Sequence, residues 1–274
     1  MITVKDLSFS YGSKGVLKNI SLELQGGNIY GLLGENGVGK TTLLTLLCGL
    51  KKPQCGSIET DGRNPFDRQP SLLGEQFYLP DEVAALPSKA CQFGAETGPL
   101  WPAYDSAKFL QILAEFEVDA QQRMDSMSSG QLKKTWIAFA LACNARNYFM
   151  DEPTNGLDIP SKAQFRKAIT KYTAEDSVVV ISTHQVRDLE NIIDPVIILD
   201  KEEVLLNASL EAVTKKLYFD YGTEINPDAL YLEKTPGGCI QVYPNESGEE
   251  SKVNIEALFN AVHAHKDIIK SLGI

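Results

Sequence analysis

Cysteine is sparse here and nowhere paired. Cys48, Cys55, Cys91, Cys143 and Cys239 are scattered over 274 residues, and no C-x-x-C occurs. That excludes a zinc-ribbon spacing and a disulfide framework, and reduced thiols in the cytosol are the simplest account. Long apolar runs are missing as well. No 18 consecutive apolar residues occur, so no segment is expected to span a bilayer. Met1-Ile2-Thr3-Val4-Lys5-Asp6 carries neither a basic stretch nor an apolar one, and no signal peptide is expected. Basic residues are in deficit: 26 Lys and Arg stand against 36 Asp and Glu, a formal charge of −10. A surface that wraps nucleic acid should be basic, so no nucleic-acid partner is expected. What is present suffices for a sizeable core, with 43% hydrophobic residues. The length allows one large or two smaller domains.

The most informative stretch is Gly34-Glu35-Asn36-Gly37-Val38-Gly39-Lys40-Thr41-Thr42. It fits G-x-x-x-x-G-K-[ST], the phosphate-binding loop. Asn28 to Leu33 before it reads as a buried strand, and Thr42 to Leu47 after it as a helix. A strand running through a Gly-rich turn into a helix aims several backbone N–H groups at one anion, and the helix N-terminus adds partial positive charge. Glycine lets the backbone approach the phosphates without a Cβ in the way. Lys40 is expected to reach the β- and γ-phosphates and Thr41 to ligate Mg²⁺.

Around this loop the pattern alternates between strand and helix. Strands are expected at residues 2–9, 17–24, 57–60 and 76–79, the last stopped by Pro80. Tyr11 follows the first, either to stack on adenine or simply to cover the core. From Asp81 to Asp125 proline recurs and helical pieces such as Ser106 to Glu117 occur, the texture of an inserted helical unit. Ser126 to Gln131 reads as a polar turn leading into a helix from Leu132 to Cys143. Asn147 to Met150 is a buried strand ending in Asp151-Glu152-Pro153, and carboxylates at a strand's carboxyl end lie where α/β sheets place chemistry. A helix from Pro160 to Tyr172, a strand from Ser177 to Ile181 with His184 beyond it, a helix from Gln185 to Ile193 and a strand from Pro195 to Leu199 complete the alternation. It implies a parallel sheet covered on both faces. Beyond Thr214 the character changes to a hairpin around Pro236-Gly237-Gly238 and one amphipathic C-terminal helix. His263 and His265 sit two apart on that helix, so they do not share a face, and a solvated position is expected for both.

The ordered set Tyr11, Gly34–Thr41, Ser128-Ser129-Gly130-Gln131, Asp151-Glu152-Pro153, Asp158 and His184 resembles the nucleotide-binding subunit of an ABC (ATP-binding cassette) ATPase. The resemblance covers residues 1–207. Met127 to Gln131 is similar to the family's Leu-Ser-Gly-Gly-Gln signature, with Met127 for Leu and Ser129 for Gly. It implies an ABC-type P-loop NTPase of the α/β class with a mostly parallel sheet. The ATP-binding domain would span 1–213 with its helical subdomain at about 81–134, and a small α+β extension would span 214–274. It implies ATP and Mg²⁺ as cofactors, with Gly34, Glu35, Asn36, Gly37, Val38, Gly39, Lys40, Thr41 and Thr42 on the phosphates. Tyr11 would stack on adenine, and Ser128, Gly130 and Gln131 would contact the ATP held by a second protomer. Asp151 would hold Mg²⁺, Glu152 would be the general base, His184 would contact the γ-phosphate and Asp158 would lie at the dimer interface. Where the family usually has a Gln, this sequence has Asp81, a carboxylate that accepts or ligates Mg²⁺ but cannot donate. The function implied is Mg²⁺-dependent ATP hydrolysis for an ABC transporter, by expectation an exporter. The chain would act as an ATP-bound homodimer at the inner face of the cell membrane, with permease subunits on another chain. The alternatives are a soluble ABC ATPase in iron–sulfur assembly, translation or repair, and a nucleotide-binding module that does not hydrolyse.

Overall fold

The computed structural model of the chain describes residues 1–273. Ile274, the last residue of the expected extension, lies outside the described residues. Strands β1 (Ile2–Tyr11) and β2 (Lys14–Leu24) form an antiparallel hairpin. β3 (Asn28–Leu33) then runs through the glycine-rich loop into helix α1 (Lys40–Leu47). β4 (Cys55–Thr60) returns to pair with β1, giving a three-stranded antiparallel sheet in the order β2-β1-β4. The apolar faces of this sheet close over α1, so Leu43, Leu44, Leu46 and Leu47 are all buried. Burying each is worth roughly 1.5–3 kcal/mol against exposure, which fixes the helix behind the glycine-rich loop.

After the short helix α2 (Pro70–Leu73), strand β5 (Gln76–Leu79) leads into a helical unit. It holds α3 (Ala90–Thr97), α4 (Ser106–Glu115) and α5 (Ser129–Ala142), packed around Phe93, Phe109 and Phe139. α5 starts three residues earlier than the sequence suggests. Ser128 accepts from the Gln131 backbone N–H at 3.2 Å while its own N–H donates to Gln131 Oε1 at 3.0 Å. This reciprocal cap turns the expected polar turn into a helix start.

β6 (Asn147–Asp151), α6 (Ile159–Tyr172), β7 (Val178–Thr183), β8 (Val196–Asp200) and β9 (Glu203–Ala208) complete the central sheet. Its order is β5-β6-β7-β3-β8-β9, parallel except for β9 at the edge. The helix expected from Gln185 to Ile193 does not form. Only Val186–Asp188 makes a short 3₁₀ turn. The reason is tertiary: Lys162 Nζ holds the Asp188 carboxylate at 2.6 Å, Arg166 donates to its carbonyl at 2.8 Å, and the Asp194 N–H donates to Ile29 O. The Arg166 contact takes a carbonyl that a continuous helix needs, the Lys162 contact pins the Asp188 side chain, and the Asp194 N–H turns to β3 where the segment ends.

The C-terminal portion runs through α7 (Leu210–Thr214) and an antiparallel sheet of β10 (Leu217–Asp220), β11 (Tyr231–Thr235) and β12 (Gly238–Pro244), with β12 in the middle. The expected single helix is two, α8 (Ile255–Ala264) and α9 (Lys266–Leu272), broken at His265. His263 is not solvated as expected: its Nε2 is buried, 3.8 Å from Asp200 Oδ1. The apolar face of α8 (Leu258, Ala261, Val262) joins the same core as the helical unit and the sheet.

Candidate functional site

The phosphate-binding loop is shaped by glycine where glycine is needed. Gly39, just before α1, has φ +115°, a conformation that L side chains rarely adopt. A Cβ on Gly34 would sit 2.6 Å from Leu199 O, so the loop packs directly on the end of β8. Lys40 follows and is 6% exposed. Its Nζ donates to Gly34 O at 2.7 Å and to Glu35 O at 3.2 Å, and lies 3.7 Å from Glu152 Oε1. Burial pulls the ammonium's pKa below its ordinary value, although the Glu152 and Asp151 carboxylates oppose that.

The carboxylates at the end of β6 are held from β7 and α1. Asp151 Oδ2 accepts from Thr41 Oγ1 at 2.6 Å, and Oδ1 accepts from Ser182 Oγ at 2.5 Å. Glu152 adopts φ +44°, unusual for a side-chain-bearing residue. The Glu152 N–H donates to Ser182 O and Ser182 Oγ, both at 3.1 Å, which holds that strained backbone in place. Its Oε1 is 2.8 Å from His184 Nδ1. Ser182, at 0% exposed, is a functional candidate that motif reading passed over. A hydroxyl inside an otherwise apolar buried strand needs a partner, and that was the available signal.

Tyr11, Glu35–Thr42, Asp81, Asp151 and Glu152 border one cleft of about 650 Å³. Tyr11 is exposed, edge-on to Phe9 at 5.0 Å, with its hydroxyl 3.3 Å from Thr42 Oγ1. Gly34 and His184 border an adjoining cleft of about 540 Å³ together with Glu35 and Asn36. Ser128, Gly130, Gln131 and Asp158 border neither. Ser129 is the first residue of α5 and has no positive φ, so a side chain there is unstrained. Asp158 caps α6, accepting from the Ser161 N–H at 2.9 Å, and the Ser161 hydroxyl, followed by that N–H, holds its carboxyl below the usual range. The Asp81 carboxylate is engaged by Asn155 Nδ2, at 3.2 and 3.4 Å, with Lys133 Nζ 3.5 Å from Oδ1.

The donor set suits a small hard cation. The Thr41 hydroxyl and Asp151 carboxylate adjoin, both are oxygen donors, and Mg²⁺ takes few protein ligands and the rest from phosphates and water. Among the described residues no group of three or more His, Cys, Asp or Glu forms an all-protein metal cage.

The family model described as ABC transporter matches residues 17–155, half of the chain. The chain belongs to the ABC transporter family. A putative ABC transporter ATP-binding protein of Treponema denticola is 32% identical over 74% of this chain, which spans 41% of that relative. The cobalt import ATP-binding protein CbiO of Salmonella paratyphi A is 30% identical, over 76% of this chain and 81% of its own length. Among solved structures, the dimeric cassette MJ0796, a bacterial ABC transporter cassette, superposes with a TM-score of 0.68 at 23% identity. That match covers 77% of this chain and 99% of the cassette. This places the fold among ABC ATPase cassettes. Among the described residues no helix is long and apolar enough to cross a membrane.

Proposed function

We propose that this chain is the ATP-hydrolysing subunit of an ABC transporter, acting as an ATP-bound homodimer on membrane subunits carried by another chain. The observation that carries the reading is the contact of Glu152 with both His184 and Lys40 beside the phosphate loop. Phosphoryl transfer to water spreads negative charge over the γ-phosphate oxygens, so catalysis is mainly positioning and charge stabilisation. Lys40 and the loop N–H groups meet that charge. Thr41 and Asp151 would hold Mg²⁺, which, when bound, draws charge from the β- and γ-phosphates. Glu152 takes the proton of the attacking water, and His184 fixes the carboxylate that receives it. Tyr11 offers its exposed ring to adenine.

Ser128, Gly130 and Gln131 stand outside the cleft of their own chain. This supports a composite site in which a second copy supplies the signature turn, with Asp158 at the interface. On this reading the chain works at the inner face of the cell membrane through its permease. One relative carries import in its name, and the function proposed is ATP-driven transport without a fixed direction.

The test is Glu152→Gln, which keeps the size of the side chain and removes the base. Turnover is expected to fall by at least ~100-fold, the scale of a lost general base, while ATP binding persists and size-exclusion chromatography with ATP shows a dimer. Turnover near that of the parent would remove Glu152 from this role, and a parent without ATPase activity would overturn hydrolysis itself.

A further inference from the structure

A second buried ammonium, held against the cleft residue Asp81, is not used by the scheme above. Lys133 lies on α5, two residues beyond the signature turn, and is 3% exposed. Its Nζ donates to Pro80 O at 3.4 Å and to Asp81 O, and sits 3.5 Å from Asp81 Oδ1. Trp136, one turn on along the same face, donates from Nε1 to Ala84 O at 3.0 Å. Thus α5 grips the segment leaving β5 at two points. Asp81 passes the contact on. Both its carboxylate oxygens accept from Asn155 Nδ2, and the Asn155 N–H donates to the Glu152 carbonyl at 3.1 Å. A chain of contacts therefore runs from the signature helix, through Lys133, Asp81 and Asn155, to the residue that carries the candidate base.

The alternatives for these groups are weaker. A lysine this buried is rare without a partner, because removing an ammonium from water is costly. Here burial lowers its pKa, while Asp81 and then Asp151 and Glu152 oppose the shift. Asp81 borders the cleft, yet its oxygens are already bound to a donor from the loop after β6 and faced by a cation from α5. An acid and a base on two separate elements form a directional contact that a Gln at position 81 would not reproduce as an ion pair.

We propose that Lys133 and Asp81 are positioning residues of the ATPase site: their ion pair, with Asn155, locks the helical unit to the loop that carries Glu152, so that movement of the signature helix is transmitted to the base. Lys133 does not touch the nucleotide in this scheme. It sets where the 153–158 loop stands.

The kinetic arm of the test rests on the ATPase reading, and a second arm does not. The variants are Lys133→Met, Asp81→Ala, Asp81→Asn and the double variant Lys133→Met with Asp81→Ala, all in the full chain. Steady-state kinetics should show kcat lowered about tenfold in Lys133→Met and in Asp81→Ala, with KM for ATP within about twofold of the parent. The double variant should be no worse than either single one, because both break the same contact. Asp81→Asn keeps one accepting oxygen but loses the ion pair with Lys133, so it should show most of the loss of Asp81→Ala, and near-parental kcat in it would overturn the role of the ion pair. Independently of turnover, amide exchange at residues 153–158 should speed up about tenfold in Lys133→Met and Asp81→Ala, while β6 at 147–151 stays protected. Additive losses in the double variant, a parallel rise in KM, or unchanged exchange at 153–158 would each overturn the proposal. If Lys133→Met does not fold, Asp81→Ala, at a half-exposed position, decides through the exchange arm. If the parent itself shows no turnover, the functional reading fails and the exchange arm still decides the lock.

Discussion

Ser182 shows how much of this site depends on single side chains from strands the motif does not include. Its hydroxyl donates to Asp151 Oδ1 and accepts from the Glu152 N–H, so one buried oxygen orients the Asp151 carboxylate and holds the Glu152 backbone. Ser182→Ala is expected to leave Asp151 with Thr41 as its hydroxyl donor and to loosen the φ +44° backbone of Glu152. Steady-state ATPase assays should show kcat down by ~10-fold or more, the scale for a lost orienting partner of a ligand or base. A titration of ATP binding should change far less, since Lys40 and the loop are untouched. Equal losses in both would assign Ser182 to binding instead. Much at this scale was legible in advance. Lys40, Thr41, Asp151, Glu152 and His184 were named from spacing and resemblance, and the fold brings them within hydrogen-bonding or ion-pair reach of one another. Ser182 and Lys133 were not, because their partners lie 31 and 52 positions away and no local pattern encodes such a pairing.

At the scale of elements, the helix starts carry both structure and function. Asp158 caps α6 through the Ser161 N–H and is also the residue expected at a dimer interface. The two roles separate by substitution. Asp158→Ala removes the cap and should cost about 1 kcal/mol in denaturant unfolding, whereas Asp158→Asn caps nearly as well and should be close to neutral. If both variants unfold alike, the cap is not what holds the start of α6. α5 is legible from its apolar face, but its first turn is not, because Ser128 to Gln131 reads as a polar loop by composition and becomes a helix start through its reciprocal cap. The 185–193 segment went the other way. Its apolar spacing suited a helix, and contacts with Lys162, Arg166 and Ile29 claimed its polar groups instead.

Across the whole molecule, the C-terminal extension is joined to the nucleotide-binding core by charge as well as apolar packing. Asp200, at the end of β8, faces Lys266 Nζ at 2.5 Å, with His263 Nε2 at 3.8 Å. Burial pushes the Asp200 carboxyl up, but the Lys266 ammonium, with His263 and Lys201, outweighs it and holds the group below the usual carboxylate range. A lowered folded-state pKa contributes stability above the unfolded carboxylate value of ~3.9, and that contribution is lost as pH falls through the folded value. Lys266→Met strands a buried carboxylate and should destabilise the chain by roughly 1–3 kcal/mol at pH 7. Thermal melting should show this as a gap from the parent of several degrees. The gap should narrow as pH falls, first as the variant's buried carboxyl, no longer held down by the ammonium, takes up a proton, and last as the parent's does below the unfolded value of ~3.9. A gap that persists unchanged into acid would mean the lysine acts through packing of its stem.

What the sequence determined by itself was local or periodic. A glycine-rich turn between a buried strand and a helix is a phosphate site by backbone geometry alone. The fully apolar, β-branched run Val178 to Ile181 reads as an interior strand, and a Pro-Gly-Gly between two short β patterns reads as a turn. What tertiary structure decided were the outcomes of competition between distant groups: the antiparallel edge β9, the break at His265, the unwinding after His184, and the burial of Lys133 against Asp81. In each case a backbone polar group or a charge had more than one way to be satisfied, and the choice fell to partners that only the folded chain brings near.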